Sequence, residues 1–417
     1  MVRQNRTTCK IRTSDKYGGK ILMKKSGFVK VIIAIVIFVV AFLSGSSIYK
    51  VIDNKKNGAI SAFKQNQGII QNVNVQKDST AETNQLNKNL EMVEYKGTIE
   101  HVFFHPLILD NELAFKGPKW QTDDMDDWFV TVQEFKSILN SIYKKGYILV
   151  DPNKLYESYE KGGKKLLRTK TIKVPKGKKP LILSIDDLSY NEGMRKATAL
   201  KLILDDKGEL ATYRKDKNGK VQIGYNETVI IIDEFVKNHP DFSLDGIKGV
   251  IALTGYQGVF GYRTERTSPN RQSEINAAKK IANKLKENGW SFASHSYGHN
   301  PHDKISLEKL KTDADHWESE VKNVVGDTQI YIYPHGDSIK ESDPKFSYLY
   351  GKGFNLFYSV DSASTEIISK KSPVVHGGRL AIDGVSMRNR RQKFLKFFDA
   401  KGILDLKSRP NRPYKFE

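Results

Sequence analysis

The stretch WSFASHSYGHNPHD, residues 290–303, decides how the chain folds. It opens as an apolar run of strand character, WSFAS, and passes into small residues, glycine and proline that carry His295, His299 and His302, three of the chain's nine histidines. Two other segments share this grammar. KKPLILSIDD, residues 178–187, is a buried-type strand running into Asp186 and Asp187, and QIYIYPHGD, residues 329–337, runs into Tyr333, Pro334, His335 and Gly336. In parallel α/β folds the residues just past the strands gather on one rim, and sites form there. Three polar clusters at equivalent positions therefore point to one site.

The intervening sequence supplies the rest of such a fold. EHVFFHPLI (100–108), YILVD (147–151), GVIALTG (249–255) and GFNLFYSVD (353–361) read as strands. TVQEFKSILNSIYKKG, TVIIIDEFVKNHP, SEINAAKKIANKLKENG and SLEKLKTDADHWESEVKNVVG have the apolar spacing and end signals of amphipathic helices. Strand and helix alternate, which predicts a parallel α/β sheet or barrel. GELATYRKDKNGKVQIGY (208–225), with its Asn218-Gly219 turn, reads as a β-hairpin excursion from that core.

The N-terminal part has a different texture. Residues 31–43, VIIAIVIFVVAFL, are uninterruptedly apolar and come directly after a strongly basic segment. The charge asymmetry leaves the N-terminus in the cytoplasm and exports the remainder of the chain. The expected organisation is a cytoplasmic basic segment (1–27), a transmembrane signal-anchor (28–49), an extracellular linker rich in Asn, Gln, Lys and Ser (50–93), a catalytic domain (94–400) and a C-terminal tail (401–417). The protein is thus expected at the cell membrane, single-pass, with its domain outside, or secreted if the apolar segment is cut near LSGSS. Cys9 is the only cysteine, so an intrachain disulfide and a Cys-based zinc cluster are excluded. The net charge of +20 fits a lysine-rich solvated surface or an anionic partner such as a wall polymer. No nucleic-acid recognition motif accompanies it.

The polar clusters have a common chemistry. Two histidines four residues apart, with one carboxylate, make three N/O ligands and leave coordination positions open, as a catalytic metal site requires. A second carboxylate beside them is free to act as a general base.

These motifs resemble those of the polysaccharide deacetylases, metal-dependent amide hydrolases on a distorted (β/α) barrel. Ser184-Ile185-Asp186-Asp187 is similar to the family's first motif, His295-Ser296-Tyr297-Gly298-His299 to its second, and Tyr333-Pro334-His335-Gly336 to a variant of its third. The resemblance implies Asp186 as general base and Asp187, His295 and His299 as ligands of a divalent ion, Zn2+ by default, with Co2+, Ni2+ or Mn2+ as substitutes. It implies that His335 lends a backbone N–H to the developing oxyanion. His105, in the opening segment, would be the general acid, with His376 in SPVVHGG as its rival. The family's third motif carries an arginine that orients the base, but Ile332 stands at that position here. Arg379, from a neighbouring loop, is the candidate replacement, and Asp361 resembles the fourth-motif aspartate. The implied substrate is an N-acetylated cell-wall or extracellular polysaccharide. An O-acetyl esterase on the same site and a non-catalytic wall-carbohydrate-binding protein remain open as alternatives.

Other residues read more plainly. His302 is expected on a solvent-facing loop, and His101, His239 and His316 in structural or surface positions. Tyr256, Phe260, Tyr262, Trp120 and Trp128 are candidates for stacking on sugar rings, with core packing or loop anchoring the plainer reading.

Overall fold

A computed structural model describes residues 90–194, 197–410, 412–413 and 415–416. The expected cytoplasmic segment, the expected signal-anchor and all but the end of the expected linker lie outside the described residues. No helix among the described residues is long and apolar enough to cross a membrane.

Eight strands organise the domain: β1 (Glu100–Phe104), β2 (Tyr147–Leu149), β3 (Lys179–Asp186), β4 (Gly249–Leu253), β5 (Trp290–Ser294), β6 (Ile330–Ile332), β7 (Leu356–Val360) and β8 (Val375–Ala381). The parallel order β4-β5-β6-β7-β8-β1-β3 returns to β4 through the pairs Val250–Ser184, Ile251–Ile185 and Ala252–Asp186. The result is a closed seven-strand barrel. Strand β2 stands outside the ring, pairing with the first residues of β3 before β4 takes over that edge. The helices α1 (Val132–Lys144), α2 (Thr228–Asn238), α3 (Arg271–Glu287), α4 (Leu307–His316) and α5 (Pro344–Gly351) are the main ones between the strands.

Alternation along the strands sorts their side chains. One face of β4 to β8 contributes Val250, Ala252, Ala293, Ile330, Ile332, Leu356, Tyr358 and Val375 to a compact interior cluster. The other face contributes Ile251, Leu253, Phe292, Tyr331, Phe357 and Leu380 to the larger core under the helices. On the interior face the apolar plug gives way, towards the carboxyl ends, to Ser184, Asp186 and Arg379, all buried. Gly377 belongs to this layer because a Cβ there would lie 2.5 Å from the Tyr358 ring.

Strand β8 is the main element that pattern reading misses. Its sequence, VHGGRLA, interrupts the apolar run with two glycines and an arginine, because its inward positions serve Tyr358 and Asp186 rather than a hydrophobic core. The expected hairpin is present. Leu210–Lys215 and Val221–Gly224 pair antiparallel around a turn in which Gly219 has a φ of 78°.

Residues beyond 400 are tied into the body. Arg409, buried, donates to both carboxylate oxygens of Glu134, to Asp126 Oδ1 at 2.9 Å and to the carbonyls of Asp126 and Phe129. Glu134 is also the N3 residue of the capping box that starts α1, so one side chain begins a helix and holds the C-terminal segment. Burial opposes the charge on Glu134, but Arg409 outweighs it and the carboxyl is held below its ordinary range. This contribution to stability is present above the unfolded-state carboxylate range and fades as pH falls through the lowered value. Replacing Arg409 with Ala leaves the buried Glu134 without its cation and takes one partner from Asp126, which keeps Arg388. A loss of about 3–5 kcal/mol is expected in urea unfolding at pH 7. A loss under 1 kcal/mol would show that the segment is not anchored this way.

Candidate metal and acid-base site

The barrel places the clusters at the carboxyl ends of β3, β5 and β6. Asp186 is the last residue of β3, His295 comes directly after β5, and Tyr333 directly after β6. The backbone then turns sharply. Asp187, Ser296, His299 and His335 have φ of 59°, 55°, 51° and 57°, in the left-handed region that such residues seldom adopt. Each costs of order 1–3 kcal/mol, and such conformations cluster at functional sites. The strain aims the side chains inward instead of continuing the strand pleat.

Asp187, His295 and His299 each offer one ligand atom, and all three atoms lie within 4.8 Å of one another. The Asp187–His299 separation is 3.7 Å, near the roughly 3.4 Å between ligand atoms of a tetrahedral zinc centre. His295 Nδ1 donates to the Ile332 carbonyl at 2.9 Å, which fixes the tautomer and leaves Nε2 facing the carboxylates. Burial lowers the His295 pKa to about 4, so the imidazole is neutral, the form that binds a metal. The residues present therefore fit a divalent ion. His335 supports this set from the rim: its Nε2 donates to the His299 carbonyl at 3.1 Å, and its ring lies 4.3 Å from the His299 ring.

Asp186 sits beside this group, with Oδ2 3.9 Å from His295 Nε2. Both its oxygens accept from Arg379, at 2.8 and 2.9 Å. The guanidinium is fully buried, donates also to Ser184 Oγ, and lies over the Phe103 ring. Burial alone would raise the Asp186 pKa, but the Arg379 charge, with His295 and His105, holds it at about 2. Arg379 is thus the residue that orients the candidate base. It comes from the middle of β8 and not from a loop.

Among solved proteins and families, the comparison is direct for the segment that holds two of these clusters. Residues 261–346 match the family model described as polysaccharide deacetylase. That segment is similar to the polysaccharide deacetylase family. No curated protein matches it. Three solved structures are similar: the deacetylase PplD of Streptococcus pyogenes in complex with acetate, 14% identical, covering 74% of this chain and 99% of that one with a TM-score of 0.40; IcaB of Ammonifex degensii, 13% identical, covering 70% and 94% with a TM-score of 0.38; and the BpsB deacetylase domain of Bordetella bronchiseptica, 11% identical, covering 68% and 97% with a TM-score of 0.33.

The two candidate acids part company. His105 lies just past β1 on the interior side, between the Phe103 and Phe129 rings, and its charge bears on both Asp186 and Asp383. His376 points the other way. Its ring packs against Phe346 and Phe357 in the outer layer, and Nε2 meets Glu341 at 3.2 Å. The expected alternative acid is therefore outside the site, because the strand pleat turns it out. Asp361 holds a turn through Ser362 N and Thr365 Oγ1 and does not orient Asp186.

His302 is also corrected: it is fully buried, with Nδ1 2.7 Å from the Asn300 carbonyl and Nε2 2.5 Å from the Tyr331 hydroxyl, so it ties the second-motif loop to β6. His101 is buried beneath Arg379, with Nε2 3.1 Å from Ser184 Oγ, and burial holds its pKa well below the ordinary value. Among the aromatic candidates, Phe260 is core, whereas Trp120, Trp128 and Tyr256 are exposed. Asp383 does not stand out in the sequence, since Asp383-Gly384 reads as an ordinary cap and does N-cap the helix Gly384–Asn389.

Replacing Arg379 with Met removes the cation and keeps the volume. Burial then dominates, and the Asp186 carboxyl is expected to titrate well above about 2. Carboxyl-carbon NMR across pH would follow it, and an unmoved midpoint would mean that Arg379 does not set the charge of this group.

Proposed function

We propose that the protein is a membrane-anchored, extracytoplasmic, divalent-metal-dependent polysaccharide deacetylase that hydrolyses N-acetyl groups of amino sugars in a wall or extracellular polysaccharide. The observation that carries this reading is the convergence of Asp187, His295 and His299 beside an Arg379-clamped Asp186.

A divalent ion held by Asp187, His295 and His299 would supply Lewis acidity towards water and the acetyl carbonyl. The residues divide the remaining work. Arg379 keeps Asp186 anionic and fixes the plane of its carboxylate, so that its free lone pairs face the ligand group and take the proton of the attacking water. His335, held over His299, presents its backbone N–H to the oxyanion. His105 stands on the β1 side of the site, where it would give a proton to the departing sugar amine. Acetate and a free amine result. The exposed Trp128 and Tyr256 are proposed to bracket the glycan at the rim.

The anchor is proposed for residues 28–49 on their charge asymmetry, and the +20 charge suits an anionic wall around the domain.

Elemental analysis of the purified protein and of His295→Ala, with acetate release from N-acetylglucosamine oligomers and from O-acetylated analogues, tests the reading. About one ion per chain is expected, lost together with turnover in the variant, with amide preferred over ester. Failure to bind zinc after reconstitution would overturn it. His105→Ala should cut kcat at least about 100-fold, whereas His376→Ala should stay within about threefold. The reverse order would move the acid to His376.

A further inference from the structure

The rim opposite the proposed site also carries a recess. A cavity of 590 Å³ lies at the amino ends of β5, β6 and β7, walled by Asn153, Trp290, Thr328, Gln329 and Gly353, with Lys286, Lys322 and Lys352 around it. A second, of 540 Å³, shares Asn153, Gln329 and Gly353 and continues under the hairpin Tyr156–Lys161/Lys164–Thr169, past Tyr156, Tyr350 and Asn355. The shared wall makes them one trough, and each part has the volume of a small-molecule site.

Its side chains are held from behind. Gln329 Nε2 donates to Asn153 Oδ1 at 3.0 Å, while the Asn153 amide donates to Asp151. The Tyr350 ring lies parallel to Phe346 at an interplanar angle of 7°, and the residue is 38% exposed. Tyr156 donates to Glu366 at 2.7 Å. Asn355 Oδ1 is buried without a hydrogen-bond partner. At Gly351 and Gly353 a Cβ would meet nothing within 4 Å, so the wall is open backbone there. Preorganised amides, hydroxyls and an aromatic plate beside unobstructed backbone suit a hydroxyl-rich, ring-shaped ligand.

The cations choose among such ligands. Lys322 and Lys352 are already paired, with Asp327 at 2.8 Å and Asp315 at 2.6 Å. Lys165 and Lys286 have no ion pair among the described residues, so they are donors for hydroxyl and carbonyl oxygens and repel amines. We propose that this trough is a second carbohydrate-binding surface, which holds an uncharged N-acetylated glycan strand at the barrel end opposite the acid-base site and releases the deacetylated, cationic product. The choice of an acetylated glycan rests on the function proposed above. The trough would keep the enzyme on unprocessed polymer while the other rim works.

The test uses full-length protein in detergent carrying His295→Ala to silence turnover, and titrates it calorimetrically with an N-acetylglucosamine hexamer at 0.15 M salt. Tyr350→Ala combined with Lys165→Ala, both exposed, should weaken one class of hexamer binding at least about tenfold, while Trp128→Ala on the other rim leaves that class unchanged. The fully deacetylated hexamer should bind this class at least about tenfold more weakly. Unchanged hexamer affinity in the double variant would overturn the proposal, as would equal binding of the two hexamers. Displacement of the hexamer from this class by polygalacturonate at equal sugar concentration would overturn the uncharged ligand in favour of an anionic one. In otherwise wild-type protein the double variant should release acetate from a soluble dimer at an undiminished rate. If the wild type releases none, the proposed activity falls, and the titrations still decide the trough.

Discussion

The Arg379–Asp186 pair is the interaction on which the site depends. A guanidinium and a carboxylate inside an apolar barrel are costly to desolvate, and only two parallel hydrogen bonds of 2.8 and 2.9 Å with a third to Ser184 make the arrangement tolerable. The surrounding residues answer to that constraint. His101 lies below the guanidinium as a neutral ring, Phe103 covers its face, and Gly377 gives the neighbouring layer the width that Tyr358 requires. With Asp186 charged and immobile, the adjacent Asp187 is left to turn through a left-handed backbone towards the two imidazoles.

The same pair explains what can and cannot be read from the sequence. Strand-end clusters are legible because apolar runs ending in Asp-Asp, in His-x-x-x-His or in Tyr-Pro-His-Gly announce their own register. The helices are legible because α1, α3 and α4 bury one stripe each. Strand β8 hides because it departs from the apolar pattern where it contributes chemistry. Arg379 is identifiable as a missing guanidinium, yet its place on a strand is not, since nothing in GGRLAIDG marks it as inward-facing.

The histidines show the limit of composition as a guide. His105 is the favoured acid on paper and His376 its rival, and the strand pleat turns the first inward and packs the second against Phe346 and Phe357. His302 reads as loop surface because Asn, Pro and Asp surround it, but its two ring nitrogens find the Asn300 carbonyl and Tyr331 and bury it. For both rings the deciding partners include residues distant in sequence.

That distance has a consequence for biogenesis. The first barrel strand finds one neighbour, β3, early, but its other neighbour is β8, the last strand made, and Arg379 meets Asp186 across 193 residues of chain. Until β8 emerges, β1 and β7 present open edges, and Asp186 is a buried-type carboxylate with no counter-charge. A chain interrupted between His299 and β8 holds every proposed metal ligand and still lacks the cation that orients the base. Completion of synthesis thus acts as a checkpoint: the barrel closes and the Arg379–Asp186 pair is assembled in the same late step, so that partial chains lack the oriented carboxylate.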